Sequence, residues 1–119
     1  SHLAAVREGL YLVTHSRDGT AYKTGLRKQR ASGKTSTADV APPLKPHAWF
    51  AGYAPHDRPK YAFVVMVENI GGGGAVAAPA AQRILTALGI PPEGGSNPPV
   101  RGPAATDPSE DESLGPEED

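Results

Sequence analysis

The sequence predicts an α+β fold: a helix, a three-stranded antiparallel sheet and a C-terminal helix within residues 1–90, followed by a disordered acidic tail over 91–119. Three observations lead to this reading. Apolar residues recur at helical spacing near the N-terminus, three extended runs are separated by proline-rich stretches, and charge and composition change abruptly near residue 90. With 14 glycines, 13 prolines and 38% hydrophobic residues among 119, the chain can form one modest domain, and a large self-contained enzyme is excluded.

Leu3, Val6, Leu10 and Val13 lie on one face of a helix, which predicts a short amphipathic helix over residues 2–14. Gly9 within it costs about 1 kcal/mol relative to alanine. Ser16, Asp18 and Gly19 supply turn chemistry, and Thr20 to Leu26 reads as extended or loop. Residues 31–40 form a strand of small side chains, suited to a close backbone approach, that ends before Pro42 and Pro43. His47–Ala54 and Lys60–Asn69 then make an antiparallel hairpin around the loop Pro55–Pro59. Because Tyr61 to Val67 is apolar without interruption, that strand is expected to be buried on both faces. Gly71 to Gly74 read as a flexible break. Ala75 to Leu88 reads as a helix with Ile84, Leu85 and Leu88 facing inward, Pro79 in its first turn and Gly89 as its stop. Two short helices cover one face of a sheet more easily than two, which points to a chain that is part of something larger.

Charge divides along the chain. Residues 1–90 carry eleven Lys/Arg against five Asp/Glu, whereas residues 91–119 carry one Arg against eight Asp/Glu. Nineteen of those last 29 residues are Pro, Gly, Asp or Glu, a composition that cannot bury enough apolar surface to offset chain entropy. The tail is read as a solubilising terminus. The absence of cysteine excludes disulfides, thiolate zinc sites and cysteine nucleophiles. No stretch approaches 18 consecutive apolar residues and the first residues lack a signal-peptide pattern, so the chain as given is expected to be soluble.

The stretch most informative about chemistry is Lys34-Thr35-Ser36-Thr37-Ala38, preceded by Ser32-Gly33. Gly-Lys-Thr suggests a phosphate-binding loop, but that motif requires glycine at position 28, where Lys28 stands, and a helix directly after it. On an edge strand the same residues suit recognition of a carboxylate and an acyl group. Lys34 and Ser36 share one face, and the free edge offers backbone N–H groups that can stabilise an oxyanion. His2, His15, His47 and His56 include no pair at i,i+3 or i,i+4, so no metal site and no cofactor are expected. Arg27, Lys28 and Arg30 lack aromatic interleaving and read as a solvated loop, with no nucleic-acid partner.

Taken in order, GLYLVTHSRDGTAY, SGKTSTADV, HAWFAGYAPHDRPKYAFVVMVEN, the glycine run and the short helix resemble the C-terminal part of the transpeptidase domain of penicillin-binding proteins, most of all the class B, elongation-type D,D-transpeptidases. The resemblance covers roughly residues 3–88 and implies a partial penicillin-binding-protein/β-lactamase-like fold. It further implies that Lys34 is the third-motif lysine that favours proton movement near the nucleophile. Thr35, Ser36 and Thr37 correspond to the substrate-binding stretch, and the Thr37 N–H is half of the oxyanion hole, a donor worth about 3–4 kcal/mol in comparable sites. Trp49 and Phe50 are read as sheet packing. The partners implied are the D-Ala-D-Ala stem peptide of peptidoglycan, β-lactams and the remainder of the transpeptidase domain. The location implied for the parent protein is the bacterial cell envelope, on the extracytoplasmic side of the inner membrane. The family usually carries glycine where this chain has Ser36, and no SxxK occurs in the 119 residues, so the chain alone is expected to be catalytically inactive. The alternative is a non-catalytic, free-standing binding module or remnant of the fold.

Overall fold

The computed structural model describes residues 1–93. Helix α1 (His2–His15) leads through two 3-10 turns, Tyr22–Thr24 and Leu26–Gln29, into strand β1 (Ser32–Ala38). Strands β2 (His47–Ala54) and β3 (Tyr61–Val67) form the hairpin, and helix α2 (Ala77–Ala87) follows. The sheet is antiparallel in the order β1-β2-β3, with Ser36 opposite Trp49 and Trp49 opposite Met66. The segment expected to be an extended or loop region from Thr20 to Leu26 thus winds into 3-10 turns, aided by Gly25 in the left-handed region at φ 85°.

Local chemistry sets the helix ends. The Ser1 hydroxyl accepts from the Ala4 N–H at the start of α1. At the end of α2, Gly89 takes φ 87° while its N–H reaches the Thr86 carbonyl and the Ile90 N–H reaches the Leu85 carbonyl. Buried Ile90 and Leu85 complete this Schellman cap, so Gly89 is the predicted stop.

The core occupies one side of the sheet. Ala48, Phe50 and Ala54 of β2 share it with Ala77, Ala78, Ala81 and Leu85 of α2 and with Leu26 and Ala31 from the segment before β1. Its many alanines let backbones approach closely around one large ring, Phe50. On α2 the inward face is Ala77, Ala78, Ala81 and Leu85, at helical spacing. Of the predicted inward set only Leu85 is buried, whereas Ile84 and Leu88, rotated away from that stripe, are exposed.

Two further expectations are corrected. Strand β3 is not buried on both faces: it is an edge strand, and Val64 (63% exposed) and Met66 lie on the face opposite α2, which α1 reaches only from the β1 side. Its uninterrupted apolar run therefore does not report burial within these residues; the side occupied by Val64 and Met66 stays open. Helix α1 likewise leaves Leu3 and Val6 exposed and buries only Thr14, because it meets the body through Arg7, Tyr11 and its last turn. The acidic segment expected from residue 91 is described only to Glu93, whose N–H donates to the Lys28 carbonyl; residues 94–119 lie outside the described residues.

Candidate active site

Strand β1 pairs with β2 along one edge only, so its residues Lys34 to Thr37 stand at the border of the sheet. The alternation of the strand separates them into two sets. Lys34 and Ser36 are exposed on the side of Ala51 and Trp49, and the Lys34 ammonium donates to the Thr35 carbonyl at 2.5 Å. A depression of about 300 Å³ beside Lys34 is lined by Leu12 and Val13 of α1 and by Ser16, Asp18 and Thr20 of the following turn.

Thr35 and Thr37 lie on the opposite side, in register with Phe50 and Ala48. Thr35 is 6% exposed, and its hydroxyl shares a 2.6 Å hydrogen bond with the Thr20 hydroxyl. Thr37 is exposed, and its hydroxyl oxygen accepts the Gly73 N–H at 3.2 Å. The glycine run is therefore no flexible break. Gly73 is buried flat on the β1–β2 backbone, where a Cβ would meet the Trp49 carbonyl oxygen at 2.5 Å and the Ser36 nitrogen at 2.8 Å. The Ser36 and Trp49 side chains point to the other face, leaving bare backbone for a glycine to cover. Sequence reasoning missed Gly73 and Thr20 as neighbours of this strand. The signal was the glycine run itself, which marks close packing as readily as freedom.

A second cluster was also missed, because Ser32 and His56 lie far in sequence from the helix that carries Tyr11 and His15. The Tyr11 ring stacks on His15 with centroids 3.7 Å apart and tilts against His56 at 4.7 Å. The Ser32 hydroxyl shares a 2.7 Å hydrogen bond with His56 Nδ1, and Arg7 donates to the His56 carbonyl at 3.0 Å. The Thr14 hydroxyl, 2.7 Å from His15 Nδ1, donates to the Ala31 carbonyl at 2.6 Å. Burial lowers the His15 pKa, aided by the positive charges of Arg27 and Arg30 and opposed by hydrogen bonds to the Tyr11 and Arg27 carbonyls. Burial also lowers that of His56, with Arg7, His15 and Arg30 acting in the same direction. Ser32 is fully buried, so this cluster is a strut that ties α1 to the β2–β3 loop.

Two helices and an antiparallel sheet whose border strand carries a lysine among hydroxyls form part of a peptidoglycan D,D-transpeptidase domain of the class B penicillin-binding kind. The chain belongs to that family: the model of the penicillin binding protein transpeptidase domain matches residues 1–86. It is 35% identical over 96 residues to the peptidoglycan D,D-transpeptidase MrdA of Haemophilus influenzae, an alignment spanning 68% of this chain and 15% of that protein. It is 29% identical over 98 residues to MrdA of Salmonella typhimurium, spanning 70% and 16%. The fold matches the crystal structure of Pseudomonas aeruginosa PBP2 in complex with WCK 5153, with a TM-score of 0.66 and 34% identity over 82% of this chain and 22% of that one. The chain thus spans about one seventh of the length of these curated relatives.

Proposed function

We propose that this chain supplies the third-motif strand of a peptidoglycan D,D-transpeptidase of the MrdA type. The observation that carries the reading is the exposed border strand bearing Lys34, Thr35, Ser36 and Thr37 within a stretch matched to the transpeptidase domain. In the parent enzyme a serine oxygen attacks the carbonyl carbon of the penultimate D-Ala. The C–N bond to the terminal D-Ala breaks, that D-Ala leaves as a protonated amine, and an acyl-enzyme ester remains. An amine of a neighbouring stem peptide then attacks the ester and returns the proton to the serine.

Within that sequence the Lys34 ammonium lowers the cost of moving the proton off the serine. The Thr37 N–H forms half of the oxyanion hole, and the hydroxyls of Thr35 and Thr37, which share one side of the strand, hold the carboxylate of the stem peptide or of a β-lactam. The parent acts in the cell envelope, on the extracytoplasmic side of the inner membrane. Among the described residues no helix is long and apolar enough to cross a membrane.

Capture of β-lactam-binding proteins from source cells, with peptide mapping, tests the reading. Peptides from residues 1–88 are expected in a captured chain much longer than 119 residues. Their recovery only from a short, uncaptured chain overturns the assignment in favour of a non-catalytic module.

A further inference from the structure

Thr37 differs from its neighbours in what its hydroxyl is given to do. A threonine hydroxyl has one proton and two acceptor positions. At Thr37 one acceptor position is filled from behind by the Gly73 N–H, and the residue is exposed. A hydroxyl so held keeps its proton free to donate outward, which is the state that receives an anion. The donor behind it is itself fixed. The Gly73 carbonyl accepts from the Ala78 N–H in the first turn of α2, and the Gly72 carbonyl accepts from the Val76 N–H. Gly74 follows with its backbone against the Thr20 carbonyl, 2.7 Å from where a Cβ would stand. Helix α2 therefore anchors a strap whose one inward N–H reaches Thr37, and only glycine can lie there because Ser36 and Trp49 backbone atoms occupy the place of a Cβ.

We infer that Gly73 is a positioning residue: its N–H orients the Thr37 hydroxyl as a donor toward the carboxylate of the acyl donor. This deepens the function proposed above and rests on it, since it requires that Thr37 meets that carboxylate. Gly73 itself touches no substrate. Its effect is selective for acyl donors that carry the anion, because a neutral donor gains little from an oriented hydroxyl.

The test uses the full-length transpeptidase that carries these residues, with benzylpenicillin and its neutral methyl ester as paired probes. The readout is the ratio of their second-order acylation rates. Thr37→Val is expected to lower the ratio about tenfold, the loss of a hydrogen bond to a charged group. Gly73→Ala is expected to lower it severalfold in the same direction, with the rate for the ester changed much less. If Gly73→Ala slows both probes equally or leaves the ratio unchanged while Thr37→Val lowers it, the role of Gly73 is overturned and the carboxylate role of Thr37 survives. If Thr37→Val leaves the ratio unchanged, the carboxylate role fails and this inference falls with it. Should Gly73→Ala fail to fold, hydrogen exchange over residues 70–76 decides. Faster exchange in Thr37→Val than in Thr37→Ser supports the hydrogen bond, and equal exchange overturns it.

Discussion

Gly33 sits one residue before Lys34 with its backbone against β2, where a Cβ would collide with the Phe50 ring and the Ala51 carbonyl. Position 33 therefore fixes how close the lysine-bearing strand lies to the sheet. Gly33→Ala is expected to destabilise the fold by about 1–3 kcal/mol, the usual cost of overpacking. Phe50→Ala, which empties the centre of an otherwise alanine-built core, should cost about 3–5 kcal/mol. Urea unfolding of both variants checks this, and a change under 0.5 kcal/mol in either (~, within the range of neutral surface substitutions) would show that the Phe50 ring is not the keystone. At this scale the sequence spoke clearly where chemistry is unusual. The Lys-Thr-Ser-Thr run declared itself by residue type, and Ser36 stood out because the resembling family carries glycine there. The partners of the two threonines did not, because Thr20 lies 15 residues before Thr35 and Gly73 lies 36 after Thr37. No local pattern encodes such a contact.

Among the elements, β2 runs over His47–Ala54 as predicted, because its ends are set by proline on both sides. The β1 strand and both helices fall within one or two residues of expectation, and the Gly89 cap explains the end of α2. Burial was less legible. The apolar run of β3 and the apolar stripe of α1 are real patterns, but only part of each meets the core: Phe63, Val65, Val67 and Val13 pack against it, whereas Val64, Met66, Leu3 and Val6 stay exposed. The histidine strut was invisible for a related reason: Tyr11 and His15 are helical neighbours four residues apart, but only tertiary packing brings His56 against Tyr11. That strut carries a pH dependence whose sign is fixed. Both histidines have pKa values below 6.5 when folded, so the unfolded chain binds protons more readily. The neutral rings thus contribute fully above the unfolded value, and the contribution is lost as pH falls through about 6.5 toward the lowered folded values. Protons arriving at His15 face Arg27 and Arg30, and those at His56 face Arg7 and Arg30, while Asp57 is ion-paired with Arg30. Stability measured from pH 7.5 to pH 5 (~, spanning the histidine range) should decline more steeply in the parent chain than in a His15→Phe, His56→Phe double variant. Equal slopes would remove the histidines from the account.

For the molecule as a whole, the decisive fact is a sheet covered by α2 on one face and reached by α1 only from the β1 side on the other. Leu3 and Val6 of α1 and Val64 and Met66 of β3 are exposed, although each belongs to a strongly apolar segment. Exposed apolar area on this scale favours association. The chain alone should therefore bind a hydrophobic dye, and Val64→Lys with Met66→Lys should reduce that binding without lowering stability as Phe50→Ala does. The same incompleteness governs chemistry. In the role proposed for them, Lys34, the threonine hydroxyls and the Thr37 N–H serve an acyl donor but form no ester, and none of the serines in these 119 residues is followed three positions later by lysine. Among the described residues Ser32 is the one serine hydrogen-bonded to an imidazole, and it is fully buried and closed to an acyl donor. Incubating the 119-residue chain with a fluorescent penicillin should accordingly give no label that survives denaturing electrophoresis. The full-length transpeptidase containing residues 1–86 should give one. A stable label on the short chain, mapped to any of its own serines, would contradict both the assignment of Lys34–Thr37 as a nucleophile-free half site and the reading of Ser32 as structural.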